Sequence, residues 1–430
     1  MLRFLYRHQV TGRGVRVSDW LLLLGGSLLF GAALVATMVV HRALVPLAVL
    51  VTLGAFGSSL MHLAAVFGRY GTVQAVGAGV LFVMGGAGIG YTVAAALLPH
   101  LARRPRVPTL PDVSLEAERE AIVLIATTEP ERYSVRTVAA RHVRHSEEAG
   151  IEISNTATPF VFLAEKARYG AVRGKTSGPA VARGIAAEVA DALEAAGSRA
   201  AVSLAWTHEP DSLARTVAER AAEGIGRIAV VPLGFEDSDE IDHAKALLDL
   251  MHPQQHGVHL AFGSSLWHDT ALAERLVSRV LACTRNAEPS ATGVVLVGEG
   301  VPPEWERRHN AARCEETYFN QRVRLLLGEH GIDDRAIRIG WLDWQMPDVT
   351  EAVRHVGALG KTRIIVAPSM IALPTLAATV DLGHAVELAR LPREVEVVTL
   401  LPWGDDEAFA SAVARSAMRA LERLNGPVRL

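Results

Sequence analysis

Cysteine is nearly missing from this chain: Cys283 and Cys314 are the two in 430 residues. That excludes a disulfide-stapled scaffold and any Cys-rich zinc or iron–sulfur site. Lysine is scarce as well, with Lys166, Lys175, Lys245 and Lys361 the four among 43 basic residues, a coding bias to which no function attaches. Excess charge is absent too. A formal net charge of -3 and a pI near 6.6 give no electrostatic reason to expect a nucleic-acid partner. The familiar nucleotide and hydrolase motifs are also lacking. GKTS (174–177) ends like a phosphate loop, but Tyr169 stands where the loop's first glycine belongs. After Val297, Gly298 and Gly300 lead into Pro302 and Pro303, where a dinucleotide fingerprint needs a helix and a third glycine. Neither a Gly-x-Ser-x-Gly elbow nor a His-Glu-x-x-His helix occurs.

What the chain has in excess is apolar sequence, and nearly all of the excess lies early. The apolar fraction is 50% and the mean hydropathy +0.23. Residues 20–40 carry no charge, and at about 1.5 Å per residue such a stretch crosses a hydrocarbon core of about 30 Å. Residues 44–67 and 72–98 form two further spans, separated by His41-Arg42 and Gly68-Arg69-Tyr70. GGAGIG (85–90) lies inside the third span, where small residues serve close helix packing rather than nucleotide binding. Length, late start and the two following spans argue against a cleaved signal peptide. Arg3, Arg7, Arg13 and Arg16 favour a cytoplasmic amino end, whereas Arg103, Arg104 and Arg106 favour the opposite end, so the charge rule leaves orientation open. The thiols and the chemistry below favour cytoplasmic lobes.

Beyond a Pro-containing linker the pattern changes to short apolar runs alternating with Ala/Arg/Glu-rich helical stretches. AIVLIA (121–126), AAVSLAW (200–206), RIAVVP (227–232) and VHLAF (258–262) read as strands buried on both faces. The succession recurs as VVLVGEG (294–300), IRIGWLDW (337–344), RIIVAP (363–368) and VEVVTLLPW (395–403). Pro210-Asp211 and Pro347-Asp348 are 137 residues apart and Pro232 and Pro368 are 136 apart, which marks an internal duplication. The predicted fold is therefore α/β: two tandem, doubly wound parallel-sheet lobes preceded by three transmembrane helices. The expected divisions are 1–19, a basic segment; 20–100, the membrane region; 101–118, the linker; 119–288 and 289–430, the two lobes. Between its opening strand and the helix at Val181 the first lobe carries a long insertion, the usual origin of lids and pocket walls.

Candidate chemistry gathers where strands end. After RIAVVP come Glu236, Asp237, Ser238, Asp239, Glu240, Ile241, Asp242 and His243. Carboxylates at a helix start can simply complement its dipole. Crowded carboxylates beside an imidazole also suit a divalent metal in transit. His208, after the second strand, can face a cleft or serve as a cap. Glu299 leaves a buried strand and needs a partner or a task. The insertion offers Arg168, Arg173, Lys175 and Arg183 with Phe160, Phe162 and Tyr169, either a solvated basic surface or a cradle for a flat ligand bearing carboxylates.

These segments carry a resemblance. VVPLGFEDSDEIDHAKALLDL resembles the ferrochelatase family's strand, Pro, Gly-Phe and Ser-Asp-His-Leu-Glu run, and RYGAVRGKTSGPAVARGIAAEVADAL is similar to its segment leading from the tetrapyrrole-lining loop into a helix. WTHEPDSLARTV is similar to its strand-to-helix turn, and GEGVPPEW to its Ala-His-Ser-Val-Pro turn. WQMPDVTEAVRHVGALGKTRIIVAP resembles a pattern of cobalt chelatases acting on sirohydrochlorin. The likeness covers about residues 120–425, in order. It implies a class II chelatase, anchored in the cell membrane, that inserts Fe²⁺, Co²⁺ or Ni²⁺ into a tetrapyrrole; the metal is substrate and no cofactor is required. On this reading Glu240, Asp242 and Glu299 are catalytic, and Glu240, Asp242, His243 and His208 handle the metal. Arg168, Tyr169, Arg173, Lys175 and Thr127 bind the macrocycle, and membrane lipid is the other partner. The family's metal-facing histidine falls on Glu299, and the second lobe has Thr375 and Leu376 where a metal pair is expected. The alternative is a chelatase-like membrane protein that binds a tetrapyrrole or metal for sensing, storage or delivery without turnover.

Overall fold

The computed structural model describes residues 17–425 apart from 71–72, 103, 115–118, 149–151, 236–237, 285–287, 304–309 and 405. It divides into two units. The first comprises Met1–Arg103, Tyr133–Glu147 and Ile151–Ala167, and the second comprises Arg104–Arg132, Glu148–Gly150 and Arg168–Leu430.

In the first unit, α1 (Val17–Val39), α2 (Val45–Tyr70) and α3 (Val73–Leu97) are each long and apolar enough to cross a membrane. Their presence marks an integral membrane protein. Leu21, Leu22, Leu47, Leu50, Leu81 and Met84 all face outward, the arrangement lipid favours and water does not. Glycine sets the approach of α1 to α3. A Cβ on Gly31 would stand 2.0 Å from the Ala87 carbonyl oxygen, and one on Gly90 would stand 2.0 Å from that of Leu28. Within 85–90, Gly86 and Gly90 thus pack against α1, as their place in an apolar span predicts, whereas Gly85 and Gly88 have nothing within 4 Å.

Two helices from the first-lobe insertion, α4 (Val135–Glu148) and α5 (Thr158–Ala171), join this unit over most of their length. The Tyr133 hydroxyl donates to the Val39 carbonyl at 2.7 Å, Lys166 Nζ to that of Thr37 at 2.8 Å, and the Tyr91 hydroxyl to that of Thr156 at 2.9 Å.

The second unit contains two four-stranded sheets. Strands β1 (Glu120–Ala126), β2 (Ala201–Trp206), β3 (Arg227–Pro232) and β4 (His259–Phe262) lie in the order β2-β1-β3-β4. Strands β5 (Thr292–Gly298), β6 (Ile337–Trp341), β7 (Arg363–Pro368) and β8 (Glu396–Thr399) repeat it as β6-β5-β7-β8. Every pairing is parallel. The registers repeat as well: Ile125 pairs with Pro232 in one sheet and Val297 with Pro368 in the other, so the duplication extends to the ladder.

Because β1 and β5 are buried on both faces, each sheet needs helices on both sides. Along β1, Ala121, Val123 and Ile125 pack on α7 (Ser212–Ala222) and α8 (Asp239–Asp249). Val295 and Val297 of β5 pack on α11 (Val349–Ala358). The alternate residues Ile122, Leu124, Val294 and Leu296 enter one continuous core shared by the lobes. That core is filled by α6 (Gly178–Ala195), α9 (Thr270–Ala282), α10 (Asn310–Glu329) and α13 (Glu407–Asn425). The last helix of the second half crosses to the first: Arg415 pairs with Asp269 at 2.7 Å, and the Ser416 hydroxyl donates to the Ser264 carbonyl at 3.0 Å. At the shared core Phe235 meets the rings of Phe319, Trp403 and Phe409 at 5.1, 5.2 and 5.6 Å.

Candidate functional site

The functional edge of a parallel sheet is the one where its strands end, because the connecting loops diverge there and leave side chains uncovered. In the second unit this edge gathers carboxylates from both lobes.

Glu299 follows β5, and its backbone N–H donates to Glu316 Oε1 at 3.1 Å, from α10. Gly298 makes the approach possible, since a Cβ there would stand 1.9 Å from Glu316 Oε1. Gly300 turns the chain away at a φ of 81°, in the left-handed region, with its α-carbon against the Asp343 carbonyl. Glu316 is 1% exposed, while Glu299 keeps partial contact with solvent though protein surrounds it. Burial, then the charges of Glu129 and Glu240, push the Glu299 carboxyl up to about 7. Burial and the charge of Glu299 push Glu316 up to about 8, against the pull of the hydrogen bond from the Glu299 amide. The two therefore titrate as a pair: one proton leaves near neutrality while the other group still holds its own.

Glu129 reaches this pair from the first lobe. It lies just past β1, and both of its carboxylate oxygens accept from the Leu376 N–H, at 3.1 and 3.2 Å. Leu376 opens a π-helical turn over Ala377–Asp381 that leads into α12 (Leu382–Leu388). Such widened turns are uncommon and often mark functional sites. Behind Glu316, one helical turn on, Asn320 is fully buried. Its Oδ1 accepts from the Ser369 hydroxyl at 2.6 Å, and its Nδ2 has no partner among the described residues.

His208 is held by its Nδ1–H, which donates to the Thr128 carbonyl at 2.8 Å. A carbonyl only accepts, so the proton sits on Nδ1 and the neutral ring presents Nε2 as a lone pair. Desolvation lowers its pKa and favours that neutral form, with the Thr128 contact and Glu209 acting in the opposite sense. Thr128 in turn abuts the start of α6: a Cβ on Gly178 would stand 2.2 Å from Thr128 Oγ1.

Of the residues expected from sequence, Glu240 and Glu299 come within electrostatic range of each other. Asp242, half-buried, lies 3.4 Å from Lys245 Nζ, and His243 is half-buried on the same helix. Ser238 caps that helix by accepting from the Ile241 N–H at 3.3 Å, so part of the acidic run serves helix initiation. Glu236 and Asp237 lie outside the described residues. Arg168 forms a two-armed ion pair with Asp381. Tyr169 is buried and donates to the Pro130 carbonyl at 2.6 Å. Lys175 pairs with Glu131 at 2.8 Å, Arg173 is exposed, and Thr127 is half-buried. Glu129 and Glu316 escaped the sequence reading. Glu129 had one available signal, its place three residues past an apolar strand; Glu316 had none within its own helix. Among the described residues, no group of three or more His, Cys, Asp or Glu side chains is disposed to hold a metal ion.

Fold and edge together define a membrane-anchored, two-lobed parallel α/β protein whose second lobe buries an electrostatically coupled carboxyl pair, Glu299 and Glu316. No family model matches the sequence, and no curated protein matches it either. Among solved structures, SirB from Bacillus subtilis with Fe³⁺ aligns with a TM-score of 0.45 at 13% identity, over 72% of this chain and 98% of that one. The sirohydrochlorin chelatase SirB from Bacillus subtilis subspecies spizizenii, in complex with cobalt, aligns with a TM-score of 0.40 at 12% identity, over 72% and 97%. The chain thus has a distant structural likeness to SirB-type chelatases.

Proposed function

We propose that this protein is a membrane-anchored chelatase that inserts a divalent metal ion, Fe²⁺, Co²⁺ or Ni²⁺, into a tetrapyrrole, with its lobes in the cytoplasm. The observation that carries the reading is the Glu299–Glu316 carboxyl pair facing Glu129 and Glu240. In metal insertion two pyrrole N–H bonds break, metal–nitrogen bonds form in their place, and two protons leave with no change of oxidation state. A base that works at neutral pH needs a pKa near 7, and burial among like charges supplies that to an otherwise acidic glutamate. Glu299 is the group we assign to the pyrrole protons. Glu240 and Asp242, assisted by His243 and by Nε2 of His208, would deliver the cation. Arg173, Lys175 and Arg168 would meet the macrocycle's carboxylates, with Tyr169 and Thr127 beside them.

The test is a spectral screen of the full-length, detergent-purified chain with each metal and a panel of tetrapyrroles. Metallated absorption bands should appear, and Glu299→Gln should lower the rate by roughly 100-fold or more. Tight macrocycle binding with no turnover for any pairing would overturn the proposal. It would favour the second reading, a binding protein for sensing, storage or delivery, which gains support from Glu299, Thr375 and Leu376 standing where the family's metal-facing residues are expected.

A further inference from the structure

Helix α5 is built the wrong way round for a helix in water. Phe160 is 54% exposed and Leu163 39%, and Ala164 and Ala167 complete the same outward stripe at the i, i+3, i+4, i+7 spacing of one helical face. That stripe holds no polar side chain. The opposite face buries Thr158 and Glu165 alongside Phe162, with Glu165 only 4% exposed and paired to Arg141 at 2.9 Å. An aqueous surface would select the reverse, since a large apolar side chain left in water forgoes the gain of burial.

The helix is also tied to one end of the spans. Lys166, within the same helix, donates to the Thr37 carbonyl, and Tyr133, just before α4, to that of Val39. Both acceptors lie in the last turn of α1, where carbonyls lack helical partners and a cation suits the helix dipole. Tyr91, in the final third of α3, donates to the Thr156 carbonyl just ahead of α5. Burial and the nearby charge of Arg42, which sits in the break between α1 and α2, lower the Lys166 pKa. A tyrosine pair and two cations at the ends of apolar spans are what the boundary between acyl chains and headgroups recruits. The helix that carries the exposed stripe is therefore held at the end of α1 and α3.

We infer that the Phe160–Leu163–Ala164–Ala167 face of α5 lies against the bilayer, its apolar side chains in the acyl boundary, as a fourth membrane-contacting helix that does not span. Its occupant is lipid, not a second copy of the chain or a soluble partner. This stands independently of the proposed chemistry.

The experiment uses the full chain in vesicles of phosphatidylcholine and phosphatidylglycerol, with Cys283→Ser and Cys314→Ser as background. A nitroxide is attached through Leu163→Cys, through Ala164→Cys as a second position, and through Glu194→Cys, at an exposed position of α6, as the aqueous reference. Collision with oxygen, which partitions into lipid, is compared with collision with a water-soluble nickel chelate. Residues 163 and 164 should favour oxygen and residue 194 the chelate, an inversion of the ratio. A ratio at 163 and 164 equal to that at 194 would overturn the inference by showing a water-exposed face. Shielding from both reagents would overturn it equally, by showing the face covered by protein.

Discussion

The carboxyl pair makes a pH prediction whose sign is opposite to that of most acidic residues. Glu299 and Glu316 are raised from an ordinary value of 4.5 to about 7 and about 8. Above pH 4.5 the unfolded chain has released these protons, while the native chain keeps them. The native state thus binds more protons, and stability falls as pH rises until the pair itself ionises. Each retained proton costs about 1.4 kcal/mol per pH unit, so the two together steepen the decline, by up to about twice that between pH 5 and 7. Glu316→Gln keeps the oxygen that accepts from the Glu299 amide but removes one titrating group. The variant's stability relative to wild type should therefore grow by about 1.4 kcal/mol per unit across that window and level off above about pH 8. Taking the difference cancels the other titrating groups, including His208, whose lowered pKa makes stability rise with pH below its ordinary 6.5. The assay is denaturant unfolding of the detergent-solubilised chain from pH 5 to 9, with tryptophan emission, including that of buried Trp403, as the reporter. A difference that is flat with pH, or that runs the other way, would refute the buried carboxyl pair with raised pKa values.

Gly298→Ala tests the same pair sterically. With 1.9 Å between the new methyl and Glu316 Oε1, it should cost about 1–3 kcal/mol in the same unfolding titration and abolish the pH-dependent gain of Glu316→Gln. In the membrane unit, Gly90→Val meets the Leu28 carbonyl oxygen at 2.0 Å and should lower the thermal midpoint in detergent, whereas Gly88→Val, with nothing within 4 Å, should leave it unchanged. Equal midpoints for the two valine variants would contradict the packing role assigned to Gly90.

The duplicated sheets were legible because their cause is local: apolar runs such as AIVLIA and VVLVG can be satisfied only by burial on both faces, and paired prolines mark the register of the repeat. The membrane-length helices were legible for the same reason. Glu299 stood out because it leaves a buried strand, yet Glu316 shows nothing within NAARCEETYFNQRVRLLLGE to separate it from Glu315. Only the gap left by Gly298 in another element gives it a role, and that is a tertiary fact. Helix α5 was only partly legible, for a different reason. Its alternation of apolar and polar faces can be read, but periodicity does not say which face turns inward, and Phe160 and Phe162 stood together beside basic residues that suited either a solvated surface or a cradle. The structure sends them to opposite sides of the helix, Phe160 outward and Phe162 fully buried.

The duplication also explains why the edge is asymmetric rather than doubled. Two residues before the shared Pro-Asp, the first lobe has His208 with a fixed tautomer; the second has Gln345, whose amide atoms are buried without partners among the described residues. Where the first lobe opens α8 with Glu240, the second opens its π-helical turn with Thr375 and Leu376, neither able to carry charge. That turn nevertheless has a carboxylate on it, because Glu129 crosses from the first lobe and seats both oxygens on the Leu376 N–H. Negative charge absent from one half is returned by the other, and that same charge helps hold Glu299 near neutrality. The Glu299 carboxyl of the second lobe is thus raised further, beyond the effect of burial, by residues of the first. Separating the lobes would remove the part of the upward shift that Glu129 and Glu240 add to burial, so the tandem, joined by α13 packing back on β3 and α6, contributes to the electrostatics of this edge as well as to stability.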